Sequence, residues 1–330
     1  MFTTEIAEAI KNVNLYEMAE KTEYKIGNLT DDEKTLIAEL DPYFKKIGET
    51  GSDPEHEVAA FITRAITEQV YNAPDELLDL LFTRGTLGEF DDYETTVLAK
   101  NTLVAYEAAK GGNVRKSFLD ISVLKPVTKH LQVETDISYA DLRKGGWKTV
   151  ATLTTFAMET LRNKMFKMIF DTLDAGIASG AENYIAESTA YPTQATMDKA
   201  ALYINDRADG NGTFVTLSKY VQAISKLTGF DSEAMRDEVH KNGRLAMYDG
   251  IQLHGISGAH KMADGSTQIA DKRIYGIAGK IGELDMKGAV RTYQTMDNND
   301  EKIHIKVTGF EFTYSFNKDT LENICKVVLS

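Results

Sequence analysis

A chain of 330 residues with 42% hydrophobic content carries enough apolar material for one elongated domain or two ordinary ones, which excludes a disordered polymer. Fifty acidic against 37 basic residues leave a net charge of −13, the wrong sign for a protein that grips nucleic acid by its sequence. No apolar run approaches the ~20 residues a membrane helix needs, and the single cysteine, Cys325, can form neither an internal disulfide nor a cysteine zinc site.

Residues 1–84 hold most of the excess charge, with 18 acidic and 8 basic side chains. Their opening glutamates stand where a secretion signal would carry lysine and an apolar block, so no export signal is expected. The region is read as short amphipathic helices. Ile6, Ile10 and Val13 start one. Thr30 and Glu33 form a capping box ahead of Leu36, Leu40, Phe44 and Ile47, with Asp41-Pro42 expected to kink or restart that helix. Ser52 and Glu55 form a second box, with Pro54 in the first turn, before Val58, Ile62, Ala65, Ile66 and Val70. Pro74 opens a last short helix through Leu77, Leu78, Leu80 and Leu81. Stripes this narrow need the rest of the chain, or a neighbouring chain, to pack against.

Residues 95–106 and 114–124 are strand-like and are joined by AAKGGN, in which Gly111, Gly112 and Asn113 supply the positive backbone angles of a hairpin tip. The returning arm alternates Leu119, Ile121 and Val123 with Asp120 and Ser122, while the outgoing arm is weakly patterned. A long hairpin with little core of its own is fitted to lie over another molecule. From Val127 to Tyr139 the alternation is nearly perfect, as in an antiparallel strand with one wet face.

The stretch 145–180 follows, with a helix expected over about 146–179. Val150, Leu153, Ala157, Leu161, Met165 and Met168 recur at helical spacing on one face. Phe156, Phe166 and Phe170 predict a second buried side, and Trp147 is a core anchor. About 30 helical residues span roughly 45 Å. Such a rod is the backbone of a building block, and it needs large partners on two sides.

Residues 191–288 are mixed. Met197, Ala201, Ile204 and Ala208 mark a helix, 214–217 a short buried strand, Ser218 the cap of a helix through Val221 and Ile224, and Asp231 the start of another to about His240. Asp249-Gly250 is a hairpin turn signal, and 274–278 is a further apolar strand. From Val290 long strands return. Ile303, Ile305 and Val307 alternate, Gly309 marks a bulge, and Phe310, Phe312, Tyr314 and Phe316 line one face as the sheet partner of the long helix.

No intact motif carries chemistry. His56-Glu57 begins like a zinc-protease motif but has Ala60 in place of the second histidine. The 276–280 stretch has the wrong glycine spacing for a phosphate loop, and Ile281 replaces the magnesium-binding hydroxyl. Gly255, Ser257 and Gly258 fall one residue short of a nucleophile elbow. The 205–211 stretch puts Arg207 at a calcium-ligand position, with Thr216 at position twelve. His254 and His260 are read as polar loop histidines, and Met158, Met165 and Met168 as adaptable packing. No catalytic, cofactor-binding or metal-binding residue is therefore assigned, and no cofactor is expected.

Several stretches, in this order, resemble the major capsid proteins of tailed bacteriophages with the Hong Kong 97-type fold. KPVTKHLQVETDISYADL resembles the strand entering the family's spine helix. KLTGFDSEAMRDEVHKNGRLAMYDGIQLHGI resembles its axial-domain run, with Gln252 where a proline is usual. RIYGIAGKIGELDM and FEFTYSFN resemble its closing strands. The resemblance covers about the last three quarters of the chain. It implies an α+β fold with an N-terminal helical arm (1–84), an extended E-loop hairpin (85–125), a peripheral domain with spine helix and β-sheet (126–190 and 290–330), and an inserted axial α/β domain (191–289).

It further implies a structural protein without catalysis. Hexamers and pentamers would build an icosahedral shell around double-stranded DNA, held by enclosure and not by sequence. Portal and scaffolding or maturation proteins would be partners, with no membrane. Assembly is expected in the bacterial host cytoplasm and final residence in the virion. Some members of the family lock their shells with lysine–asparagine isopeptide bonds, for which Lys100, Lys110, Lys116 and Asn317 stand in the corresponding regions. The N-terminal segment is read as a retained arm, with an uncleaved precursor shell as the second reading. An encapsulin-like nanocompartment shell around a cargo enzyme is the nearest alternative, and a soluble α/β hydrolase a more distant one.

Overall fold

The computed structural model describes residues 13, 15, 18, 21, 29–71, 75–93, 104, 105, 107, 126–208, 212–227, 245–258, 262, 264–297, 299–316 and 321–330. Helix α1 (Asp31–Thr50) opens with the expected capping box: the Glu33 N–H donates to the Thr30 hydroxyl (3.2 Å), and the Thr30 N–H donates to the Glu33 carboxylate (2.7 Å). The restart expected at Pro42 does not occur. One helix of 20 residues runs through it, carried by the burial of Leu36, Leu40, Phe44 and Ile47. Each such side chain contributes about 1.5–3 kcal/mol, more than the hydrogen bond a proline removes.

Helix α2 (Glu57–Ile66) corrects the second capping reading. The Ser52–Glu55 box does not form, Pro54 stays outside the helix, and exposed His56 takes a left-handed φ of 52°. Asp53, fully buried, does the capping, its carboxylate accepting from the N–H groups of Glu57 and Val58 at 3.1 Å each. A π-helical turn, Thr67–Tyr71, continues α2. Asp75 then caps helix α3 (Glu76–Leu81). Strand β1 (Phe82–Leu87) follows, where the sequence reading placed the junction of arm and hairpin. Beyond position 93 the expected hairpin lies outside the described residues, save 104, 105 and 107.

Strand β2 (Val127–Ser138) alternates as read, with Leu131 and Ile137 buried on the inner side and Gln132, Glu134 and Asp136 exposed. It ends one residue early, because Ser138 caps the short helix α4 (Tyr139–Gly145) through the Asp141 N–H. Gly146 turns the corner at φ 53°, where a Cβ would lie 2.1 Å from the Asp41 carboxylate of α1. Only glycine fits there. The spine helix α5 (Trp147–Gly176) then runs 30 residues, three short of the expected C-terminal limit.

The remaining elements are β3 (Tyr184–Ala186), α6 (Gln194–Ala208), β4 (Gly212–Leu217), α7 (Ser218–Ile224), β5 (Met247–Tyr248), β6 (Ile251–Ile256), β7 (Arg273–Ala278), β8 (Gly282–Lys287), β9 (Arg291–Asp297), β10 (Lys302–Phe316) and β11 (Ile324–Val328). Ser218 does not cap α7; its hydroxyl donates to the Ile256 carbonyl at 3.1 Å and ties the helix to β6. The hairpin turn at Asp249-Gly250 has both φ angles positive, 48° and 81°, as the dipeptide predicts. The helix expected from Asp231 lies outside the described residues.

Two sheets organise these parts. In the first, strands run in the order β1, β8, β10, β2, with β9 also on β10. Strand β10 pairs antiparallel with β2 on one edge; on the other it serves β9 with its first half and β8 with its second. Gly309 (φ 77°) makes the bulge that separates the halves. Before it the buried apolar residues are odd-numbered (Ile303, Ile305, Val307), and after it they are even-numbered (Phe310, Phe312, Tyr314, Phe316). The extra residue keeps both sets on one core.

The second sheet runs β3, β11, β7, β4, β6, β5. Val215, Tyr275, Ile277 and Ile324 belong to the cluster around α5, while Phe214, Leu217, Ile274, Cys325 and Val327 belong to the cluster with α6 and α7. Both faces are thus covered. Strand pairing divides the chain differently from the sequence reading: β8, expected on the axial side of position 289, sits in the first sheet, and β11, expected on the peripheral side, sits in the second.

Candidate functional site

Among the described residues, no three His, Cys, Asp or Glu side chains converge as a metal-ligand group, and no helix is long and apolar enough to cross a membrane. The near-motifs are structural. Gly276 is inside strand β7, packed against Ile204 and Phe214. Residues 205–208 end helix α6, and Thr216 is buried in β4. His254 lies in β6; His260, Lys100, Lys110, Lys116 and Asn317 lie outside the described residues. Burial pushes the Cys325 thiol up to about 12, so it is no nucleophile.

What the molecule does build is a set of joints on α5. Leu161, Met165, Phe166, Ile169, Phe170 and Leu173 are buried, and Phe170 stacks on Tyr275 of the second sheet at 5.7 Å. The Thr172 and Tyr314 hydroxyls meet at 2.7 Å, attaching the aromatic ladder of β10. Inside the core, Gln268 donates to Asn163 at 2.5 Å.

The helix has no basic residue in its last turn, so the negative end of its dipole and its last carbonyls need an outside donor. Lys326 of β11, 5% exposed, supplies it: its Nζ donates to the Asp174 carbonyl (2.7 Å) and pairs with the Asp174 carboxylate (2.9 Å). Arg273 (3.1 Å) and the Tyr275 hydroxyl (2.8 Å) donate to the same carboxylate. Burial resists ionisation of Asp174, but the bonds from Lys326 and Tyr275 and the charges of Lys326 and Arg273 hold its carboxyl below the ordinary range. Burial, helped by that carboxylate, pushes the Tyr275 phenol far upward. This joint fixes the second sheet to the end of α5.

A second joint holds the arm. Asp53 accepts from Gln294 of β9 (3.0 Å), and Gln294 in turn accepts from the Ala59 N–H (3.2 Å). Phe44 and Phe61 meet edge-on at 5.7 Å, and Arg162 of α5 binds Asp75 through two nitrogens at 2.6 and 2.9 Å. The N-terminal helices are therefore packed onto α4, α5 and β9 of their own chain.

The opposite end of α5 differs. Phe156, expected on a buried side, is 58% exposed. It borders an open cleft of about 770 Å³ between α5 and β2, lined also by Val133, Ile137, Lys144, Lys148 and Leu153. The cleft is open and mixes apolar with charged lining residues.

The family model described as "SPbeta prophage-derived putative capsid protein YonB" matches residues 4–316. The chain belongs to that family. No curated protein matches its sequence. Solved structures similar to this member of the YonB family include a chain of Microbacterium phage Oxtober96 (TM-score 0.54, 13% identity, covering 78% of this chain and 92% of that one). The capsid of a native GTA particle (0.53, 13%, 79% and 93%) and a chain of Gordonia phage Cozz (0.50, 11%, 76% and 84%) are also similar. The YonB-family chain thus has the Hong Kong 97-type fold of phage capsid proteins, and it is a capsid protein of a phage-like shell.

Proposed function

We propose that this chain is the major capsid protein of its particle, self-assembling into the hexamers and pentamers of an icosahedral shell that encloses double-stranded DNA, without catalysis. The observation that carries this reading is the capsid-family match across 4–316. Its parts are the arm (1–84), the E-loop (85–125), the peripheral domain (126–190 with 290–330) and the axial domain (191–289), with β8 and β11 crossing between the last two. A net charge of −13 lets packaged DNA pass without sticking. Portal and scaffolding or maturation proteins complete the assembly in the bacterial host cytoplasm.

Negative-stain microscopy of the full chain, followed by nuclease treatment and extraction, tests the reading. Shells holding protected DNA support it; small dispersed monomers overturn it. Shells holding a cargo protein would favour the nanocompartment alternative. Boiling the particles in detergent tests the lock at Lys100, Lys110 or Lys116 with Asn317, since a clean monomer band rules the bond out. The retained arm is expected to survive in DNA-filled particles, and an intact mass lacking the first seventy to one hundred residues would overturn it.

A further inference from the structure

Strand β8 carries two carboxylates on one face. Glu283 and Asp285 stand two residues apart and so point the same way, while Leu284 and Met286 are buried on the other side. The two acids are held differently. The hydroxyl of Tyr93, just past β1, donates to Glu283 at 3.1 Å and meets the buried Ser315 hydroxyl at 2.6 Å. Asp285 has no hydrogen-bond or ion-pair partner among the described residues. Its carboxylate lies on the bare backbone of Gly85, its register partner in β1, where a Cβ would come within 2.2 Å of Oδ1.

The surroundings supply no countercharge. The open pocket of about 700 Å³ over the two acids also has Asp91 and Asp92 on its wall, and its cation among the described residues, Arg84, reaches Asp79 at 3.4 Å. Alongside the acids, β1 places Thr83, Gly85 and Leu87, and β10 places Ser315 and Thr313. Lys287, next along β8, stands opposite Glu311 of β10. Burial, and then the charge of Glu283, raise the Asp285 carboxyl above its ordinary value. The Tyr93 phenol, pushed up to about 12 chiefly by burial, remains a donor throughout.

We propose that Glu283 and Asp285 are an acid-operated clasp: a proton taken up by Asp285 tightens the hold of β8 on β1 and on Tyr93, and its loss loosens that hold. With both groups charged, two carboxylates repel each other beside Gly85. Protonating Asp285 ends the repulsion, gives its carboxyl an O–H to donate, and leaves the Tyr93–Glu283 bond in place. The folded chain binds this proton more tightly than the unfolded one. The contribution is therefore full below the ordinary value of 3.8 and is lost as pH rises through the raised value. Strand β1 is an edge strand paired with β8, and it joins residues 1–84 to residues 85–125, so the clasp sets how firmly that junction is fastened to the sheet. It lies within one chain and does not depend on assembly, so its failure and that of the capsid reading are independent.

The test is hydrogen exchange of the unassembled full-length subunit at about pH 7.5 and about pH 5, corrected for intrinsic rates, with the Asp285 carboxyl carbon followed by NMR. Expected are an Asp285 midpoint above the ordinary carboxylate value and a protection of the β1 amides about three- to tenfold greater at the lower pH. Asp285→Asn keeps the shape and cannot ionise, so it should hold the higher protection at both pH values. Glu283→Gln should lower the Asp285 midpoint and shrink the step. A step that persists unchanged in Asp285→Asn, or an Asp285 midpoint at or below 3.8, overturns the clasp. If Asp285→Asn does not fold, the Asp285 midpoints in the wild type and in Glu283→Gln decide the question.

Discussion

From Leu161 to Gly176 the spine helix is gripped by its own chain. Phe170 stacks on Tyr275, Tyr314 binds Thr172, and Lys326 closes the last turn. From Trp147 to Thr160 the same helix buries Trp147, Val150 and Ala157 inward but presents Phe156 to an open cleft. One half is finished and the other is left for company. The difference shows how one uniform helix can carry two kinds of surface: its tight end fixes the second sheet inside the chain, and its bare end leaves apolar area exposed.

The contrast is sharpest in stability. Phe170→Ala on the tight half should cost about 3–5 kcal/mol, read from urea unfolding of the unassembled subunit. Asp174→Ala should cost about 2–3 kcal/mol, less than a fully enclosed pair because the Asp174 side chain is 29% exposed; hydrogen exchange in β11 should rise with it. Replacing both partners together, Asp174→Leu with Lys326→Met, should recover part of that loss, since no buried charge is then left alone. Asp53→Ala should cost about 1–2 kcal/mol, visible as faster exchange at the start of α2.

Next in size is a pH effect at His304, which sits between Asp136 and Asp297. The hydrogen bond and charge of Asp136 raise the imidazole pKa above its usual value. The stabilisation is therefore complete below about pH 6.5 and is lost as pH climbs through the raised value. Titration of the His304 ring by NMR checks the direction, and Asp136→Asn should bring the midpoint down. Smallest of all, Phe156→Ala should leave the free subunit within about 0.5 kcal/mol of wild type. A large loss there would erase the contrast between the halves.

What the sequence made legible was local. The Thr30–Glu33 box, the alternation of β2, the Asp249-Gly250 turn and the parity change around Gly309 each depend on residues a few positions apart. What escaped was built from distant partners. Asp53 and Gln294 are 241 residues apart, and Lys326 and Asp174 are 152. Nothing in the sequence marks Lys326, because only the fold brings it to a helix end. Strand β1 escaped for another reason: its TRG centre lacks alternation, and its order comes from β8. Phe156 was misread because helical spacing tells which side chains share a face, not whether this chain covers it.

The parity change at Gly309 has one more consequence. Because β10 is out of phase with itself by one residue, a single deletion inside either half would turn the residues beyond it to the wrong face, so there length changes are tolerated only in pairs. A single deletion at Gly309 does the opposite: it removes the extra residue, puts Val307 and Phe310 two positions apart, and leaves one regular strand with both apolar sets on the same face. The strand behaves as a frame-sensitive ruler, and insertions in a lengthened variant belong in the 299–301 turn.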